Sequence, residues 1–424
     1  MSKKTLLNSW HRSEGANMAA FGGYDMPLWY PSGAKQEHLS VINNAGIFDT
    51  SHMALLTVKG AHSRDLLQFC FTKDLDHCIG KKKTPLVEGR CAYGAFLNEK
   101  GEVLDDAIVY FIENETYALV VNANMGSIIS AHLKRCSKSY PEVDIQDLTD
   151  KIGKIDVQGP NAALFLAPHL SDPESIFTHM PYFSFKGTFD SNSHRTGEVR
   201  FRDNTPILVS RTGYTGEFGF ELFMDSDHLI HVWHTLVNEG RKKGLLCCGL
   251  AARDSLRTGA VLPLSHQDIG PWPFINHPWH HALPFDESQT GFTKSFMGDE
   301  ALQQSRNSVY VYAFVGFDLR KISSDRSSHV FDSAGNDIGT VSTCVTDMAI
   351  DRHEEKIYSI ASPDKPEGFR AKGLSCGFVR LTKPQEYGTI LELKDGKRSI
   401  KVMITEDVRP YRTARKSVKE MLTL

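Results

Sequence analysis

The sequence has no apolar run long enough to cross a bilayer, and its opening, MSKKTLLNSWHRSEGANM, carries two lysines with no apolar stretch behind them. Neither a spanning helix nor a secretory leader is expected, so a soluble, cytoplasmic protein without a membrane partner is the expectation. Excess charge is also missing: 48 basic residues face 51 acidic ones, a net charge of -3. No surface of one sign follows from that balance, and nucleic acid is not an expected partner. Cysteine is neither dense nor paired. The eight thiols stand at 70, 78, 91, 136, 247, 248, 344 and 376, with no C-x-x-C spacing. That excludes a disulfide framework and predicts reduced, mostly buried thiols. Low-complexity tracts and short repeats are absent, which excludes solenoids and long disordered arms. Asn114-Glu115-Thr116 fits a glycosylation sequon, but without secretion it has no consequence.

What is present is ordinary globular material, 41% hydrophobic and 23% charged over 424 residues, enough for two or three domains. Patterning divides the chain into 1–160, 161–307 and 308–424, with the first two interleaved. In the first region Ala54 to Val58 reads as a strand, and Leu66, Leu67, Phe69 and Cys70 as an amphipathic helix. Ala107 to Ile112 and Tyr117 to Val121 read as a hairpin, followed by helical spacing at Ile128, Ile129 and Leu133. The second region repeats the scheme. Pro206 to Ser210 and Phe218 to Phe223 flank a glycine-rich turn. A helix follows, N-capped by Ser226, with Leu229, Ile230, Trp233, Leu236 and Val237 buried and Lys242-Lys243-Gly244 at its end. The third region is strand-rich: Tyr310 to Phe317 is apolar, and Asp395-Gly396 marks a hairpin between Ile390–Leu393 and Ile400–Ile404. Ser362 to Gly373 reads as a loop. The fold class is α+β, ending in a small β-barrel or sandwich.

Four groups of residues can carry chemistry. Asp105-Asp106 opens an apolar strand, and adjacent strand residues point to opposite faces, so one of the two can look into a given cavity. A carboxylate there can hold a cationic centre or accept a proton, although a solvated turn has the same appearance. In Arg211 to Glu221, Glu217, Gly219 and Glu221 share one strand face. Gly219 leaves room for a flat ligand, and a carboxylate beside it can pair with two adjacent N–H groups. Arg253 and Arg257 lie on one helical face and can bind a carboxylate or pair locally with Asp254 or Glu221. His266, His277, His280 and His281 lack helical ligand spacing and any H-E-x-x-H, so a pocket or interface loop is expected there and no metal site.

The order of these motifs resembles the glycine cleavage T-protein (aminomethyltransferase) family, including its tetrahydrofolate-dependent demethylase relatives. The resemblance rests on Gly15-Ala16-Asn17-Met18, Phe21 to Tyr30, Gly46 to Met53 and Leu104 to Val109. It continues through Val120 to Asn124, Gln158-Gly159-Pro160, Gly213 to Glu221, Gly249 to Leu256 and Phe296 to Leu302. It implies a three-domain cloverleaf, with ferredoxin-like α/β domains and a C-terminal β-barrel domain around a central folate channel. It also implies an enzyme that moves an aminomethyl or methyl group to N5 of tetrahydrofolate. By position, Asp105 corresponds to the catalytic aspartate, Glu221 to the acid gripping the pterin edge, and Arg253 to a folate contact. Met53, Tyr93, Val109, Asn122 and Tyr214 fall at positions around the ligand.

Two departures bear on the donor. The segment Leu262 to His281 is unusually rich in aromatics and histidine, making Tyr30, Trp279 and His280 the candidate substrate contacts. Around Gly388-Thr389, where many members carry an arginine, this chain has Glu386 and Tyr387. The expected partner is therefore either a lipoylated carrier protein or a small methyl donor, and a folate-binding protein without catalysis is the competing class.

Overall fold

The computed structural model describes residues 2–190, 193–324 and 328–422. Contacts divide the chain into two compact units. One comprises Met1–Phe96, Asp105–Ala252 and Thr413–Leu424; the other comprises Leu97–Leu104 and Arg253–Arg412.

The first unit is built on two sheets. A five-stranded sheet has the order Arg90–Leu97, Val103–Glu113, Thr116–Val121, Ala54–Lys59, Asp144–Asp147. A six-stranded sheet runs Phe185–Gly187, Leu208–Ser210, Gly219–Asp225, Ile152–Gln158, Gly46–Asp49, Leu246–Cys247. Period-two alternation decides which side chains go inward. Tyr110, Ile112, Ala118 and Val120 from the first sheet pack on Phe185, Leu208 and Phe223 from the second, forming one continuous core. The expected hairpin is present, with Ala107 opposite Val121 and the turn at Asn114-Glu115. The helices Ser63–Cys70 and Gly126–Cys136 form where the helical spacing lies.

Two local expectations are corrected. The helix Ser226–Arg241 is capped by Asp225, not Ser226: the Asp225 carboxylate accepts the Asp227 N–H at 2.9 Å. Ile230 is exposed and Val232 takes its place, so the buried stripe runs 229, 232, 233, 236, 237, 240, at true i, i+3, i+4 spacing. Gly244, at φ +85°, turns the chain out of this helix as expected.

The end of the described chain returns to this unit. The buried Arg211 guanidinium donates to Gly219 O (2.6 Å), Ala414 O (3.1 Å) and Lys416 O (3.0 Å). Glu217 accepts the Thr413 hydroxyl at 2.6 Å.

The second unit holds a closed six-stranded barrel: Tyr310–Gly316, Leu374–Leu381, Asp337–Asp347, His329–Phe331, Ile390–Lys394 and Ser399–Thr405, which pairs again with the first. Closure leaves no unpaired edge, which decides between barrel and sandwich. The Ile390–Lys394 hairpin forms as expected, with Gly396 at φ +79° in its turn. None of the eight cysteines forms a disulfide, and six of them are buried.

In the same unit His277 is buried. Its ring lies 4.1 Å from Phe274, and its Nδ1 accepts the Trp279 N–H at 3.1 Å. Burial, followed by the charges of His280 and His281, pushes its pKa down to about 3. An unfolded histidine protonates near pH ~6.5. The unfolded chain thus binds a proton that the folded one refuses, and this group's share of stability is intact above that pH and declines as pH falls toward 3. His277→Asn keeps an acceptor for Trp279 but cannot titrate. Thermal scans between pH 7 and pH 4.5 are expected to show a shallower fall in Tm for the variant; parallel curves would reject this account.

Candidate active site

The strand Val103–Glu113 separates its two leading acids as the pleat requires. Asp105 is fully buried on the face shared with Ala107 and Val109. Asp106 is partly exposed, on the face shared with Ile108 and Tyr110. Asn122, just beyond the partner strand Thr116–Val121, ties the two together. Its backbone N–H donates to Asp105 Oδ2 (2.8 Å), and its side-chain amide donates to Asp105 Oδ1 (2.8 Å) and to Asp106 Oδ1 (2.7 Å). The Tyr93 hydroxyl donates to Asp106 Oδ2 at 2.8 Å.

Burial first, and then the neighbouring Asp105 charge, raise the Asp106 pKa to about 7, against the pull of the Tyr93 and Asn122 hydrogen bonds. Tyr93 is itself pushed well above 10 by burial and by Asp106, with Tyr214 adding to the effect. Asp106 is thus the more exposed of the two carboxyls and the one whose pKa is raised, while both oxygens of the buried Asp105 are held by Asn122.

A second cluster lies on the facing sheet. Glu221 sits opposite Asp156 in the antiparallel register of Gly219–Asp225 with Ile152–Gln158. Lys154 Nζ donates to Asp156 (2.5 Å), Glu221 Oε1 (2.6 Å) and Thr50 (3.2 Å). Glu221 Oε2 accepts from Thr212 (2.5 Å), with the Tyr110 hydroxyl at 3.4 Å. Lys154, Asp156 and Glu221 are all at most 5% exposed, so this is a charge cluster removed from bulk water. Tyr110 links the clusters through the strand, since it shares the face of Asp106 four residues away.

The remaining sequence candidates are dispersed. Met53 packs against the core between the two sheets, and Tyr214 is partly exposed near Tyr93. Val109 is fully buried on the Asp105 face. Tyr30 is buried in a different chain of contacts: its hydroxyl meets His11 Nδ1 at 2.8 Å, and His11 Nε2 meets Asp49 at 2.9 Å. Arg253, Trp279 and His280 belong to the second unit. There Trp279 is a packing residue, 1% exposed, its indole donating to Val261 O at 2.8 Å, whereas His280 is exposed and Arg253 partly so. Arg257 is fully buried and its guanidinium is taken by Asp254, Asp268 and Thr343. The room expected at Gly219 is filled: a Cβ there would meet Val157 O at 2.6 Å and the Gln158 amide at 2.7 Å.

Sequence reasoning missed Lys154, Asp156, Thr212 and Thr50. A signal was available in Ile152-Gly153-Lys154-Ile155-Asp156-Val157-Gln158, where polar residues occupy every second position of an otherwise apolar strand and must share one buried face.

Comparison with known proteins places this arrangement. Residues 7–272 match the GCVT N-terminal domain. The chain belongs to the GCVT family. Two aminomethyltransferases are among its curated relatives. That of Streptomyces coelicolor is 36% identical over 267 residues, 63% of this chain and 65% of the relative. That of Bacillus pumilus is 33% identical over 344 residues, 81% of this chain and 86% of the relative. The crystal structure of glycine cleavage system aminomethyltransferase T from Bartonella henselae superposes with a TM-score of 0.74 at 25% identity, covering 96% of this chain and 97% of that one. The mixed α+β fold with its closed barrel is thus a GCVT-family fold. Within this family member, Asp106, Tyr93, Asn122 and the Lys154–Glu221 cluster all lie inside the matched segment. Among the described residues no helix is long and apolar enough to cross a membrane.

Proposed function

We propose that this chain is a tetrahydrofolate-dependent aminomethyltransferase acting on a lipoylated carrier protein in the cytoplasm. The observation that carries the reading is the Asp105–Asp106 pair, tied together by Asn122 and bonded by Tyr93, in which burial and the Asp105 charge raise the Asp106 pKa to about 7. The strand face of Asp106 leads to Tyr110 and Glu221. Four residues of strand separate Asp106 from Tyr110, about 13 Å at ~3.3 Å per residue, a span suited to a bicyclic ring and its reacting nitrogen.

Glu221 suits the pterin edge. Oε1 receives Lys154, and Oε2 receives Thr212 at 2.5 Å and Tyr110 only at 3.4 Å, so two side-by-side N–H donors can bond the carboxylate if they displace the long Tyr110 contact. Tetrahydrofolate supplies the nucleophilic nitrogens that take up the carbon. The carbon's bonds to nitrogen and sulfur break, two bonds to folate nitrogens form, and the two protons folate gives up are those gained by ammonia and the carrier thiol. Asp106 is the group that moves a proton in this exchange: ionised, it takes one at Oδ; protonated, it returns one to the leaving nitrogen. Asp105 and Asn122 position it, and Tyr93 fixes its outer oxygen.

The test is mass spectrometry of the folate after incubation of the full chain with a donor panel. Methylene-tetrahydrofolate formed only with an aminomethylated lipoyl carrier is expected. Methyl-tetrahydrofolate from a free S-, N- or O-methyl compound, or no folate product from any donor, would overturn the reading.

A further inference from the structure

Apart from the residues of the Asp105–Asp106 site, the helices Ser63–Cys70 and Gly126–Cys136 bring three soft ligands together. Cys70 closes the first helix; His132 and Cys136 are one turn apart on the second. One ring nitrogen of His132 and the two thiol sulfurs lie within 4.8 Å of one another. The geometry points to a zinc site of Cys2His type, with water in the fourth position, clipping these two helices together. The sequence offers no such signal, because Cys70 and His132 are far apart in the chain and the stretch that draws attention to metal is His266 to His281.

Two observations support it. His132 is buried, and its Nε2 has no hydrogen-bond partner, a cost that folded proteins rarely leave uncompensated. Zinc bonds of ~2.0–2.3 Å require ligand atoms about 3.3–3.8 Å apart. From 4.8 Å that asks for shifts of about 1 Å, which side-chain rotations at the end of one helix and the last turn of another can supply.

Both thiols lose their protons to solvent on binding. Two thiolates neutralise a divalent ion, so Arg135, whose guanidinium is 3.4 Å from His132 Nδ1, meets no net positive charge. The second helix begins four residues after Asn122, which holds both aspartates, so the clip would steady the element that follows the site without using a site residue.

The experiment uses the full chain, reduced, stripped with chelator and titrated with Co2+. One equivalent is expected to bind, with thiolate-to-cobalt charge-transfer absorption and intense tetrahedral d–d bands, and Zn2+ should displace it. Cys136→Ser, at a partly exposed position where loss of fold is not expected, and His132→Gln should each weaken cobalt binding by at least about 10-fold. The metal-free Cys136→Ser chain should keep the parental Tm. Substoichiometric or absent binding by the reduced chain would overturn the site, and so would undiminished bands in Cys136→Ser, which would assign them to the other cysteines. A Cys70–Cys136 disulfide in the isolated protein, with no metal uptake after reduction, would replace the site with a redox pair.

Discussion

Asp106→Asn should lower the transfer rate by roughly 10²–10⁴-fold, the range expected when a positioned proton-transfer group is lost, while leaving the protein folded and, above pH 7, more stable. The two effects share one cause. In the folded chain burial and Asp105 hold the Asp106 pKa at about 7, whereas the unfolded chain loses that proton near the ordinary carboxyl value of ~3.9. Between those values the unfolded state releases a proton that the folded state keeps, so this group's contribution to stability falls as pH rises and is least favourable above 7. Asparagine removes the titration. The amide also fits the site, since its oxygen can accept from Asn122 and its NH2 can donate to the Tyr93 oxygen, a hydroxyl that accepts as readily as it donates. Activity and Tm should therefore move in opposite directions in alkaline buffer, and the pH–rate inflection near 7 should vanish.

Asp105→Asn has a different signature. Its new NH2 would face the Asn122 N–H or the Asn122 amide, donor against donor, and a buried unmatched donor costs about 1–3 kcal/mol. Stability should drop at every pH, with the inflection near 7 displaced rather than lost. If Asp105→Asn abolishes the inflection and Asp106→Asn retains it, the roles assigned to the two carboxyls are reversed.

Lys154→Met should be the most damaging single change to the fold of the first unit. The lysine is the cation between two acids that are 0% and 5% exposed, Asp156 and Glu221. Its removal takes the cation from both acids, whose hydrogen bonds from Thr50 to Asp156 and from Thr212 and Tyr110 to Glu221 carry no charge. Breaking a buried pair from one side costs about 3–5 kcal/mol, and in a unit of this size each kcal/mol lowers Tm by roughly 2–4 °C. A fall of roughly 6–20 °C is expected at neutral pH. Mild acid should narrow the gap, because protonating either carboxyl relieves the repulsion. Adding Asp156→Asn to Lys154→Met should recover part of the loss. A Tm within about 2 °C of the parent would mean that the cluster is hydrated well enough to need no cation.

The contrast between these residues explains what the sequence could and could not disclose. The hairpin carrying Asp106 was legible, because Ala107 to Ile112 and Tyr117 to Val121 are apolar strands joined by a short polar turn. How the two aspartates share their partners was not, because neighbouring strand positions are equivalent until register is known: Asn122 bonds both, and Tyr93 bonds Asp106. Motif order points to Asp105 as the catalytic carboxyl, and the paired asparagine variants decide between it and Asp106. The Lys154–Asp156–Glu221 cluster depends on pairing between strands more than sixty residues apart, which no local pattern encodes. Ile230 was misassigned for a simpler reason: a hydrophobic residue one position off the stripe is indistinguishable from its neighbours until the helix phase is fixed by Leu229, Trp233 and Leu236.

The clasp of Arg211 on Ala414 and Lys416, with Glu217 on Thr413, also sets an order of events. Residues Arg253–Arg412 form the second unit, so the first unit is interrupted by it and receives its closing segment only afterwards. On a ribosome the barrel strands are all made before Thr413 emerges, and the second unit can assemble while the first still lacks a strap. Arg211 meanwhile waits as a buried-to-be cation with one backbone partner, Gly219 O, in place of three. Closure over so many intervening residues is an inherently slow, high-contact-order step. The segment Thr413 to Lys416 therefore acts as a late latch on the first unit.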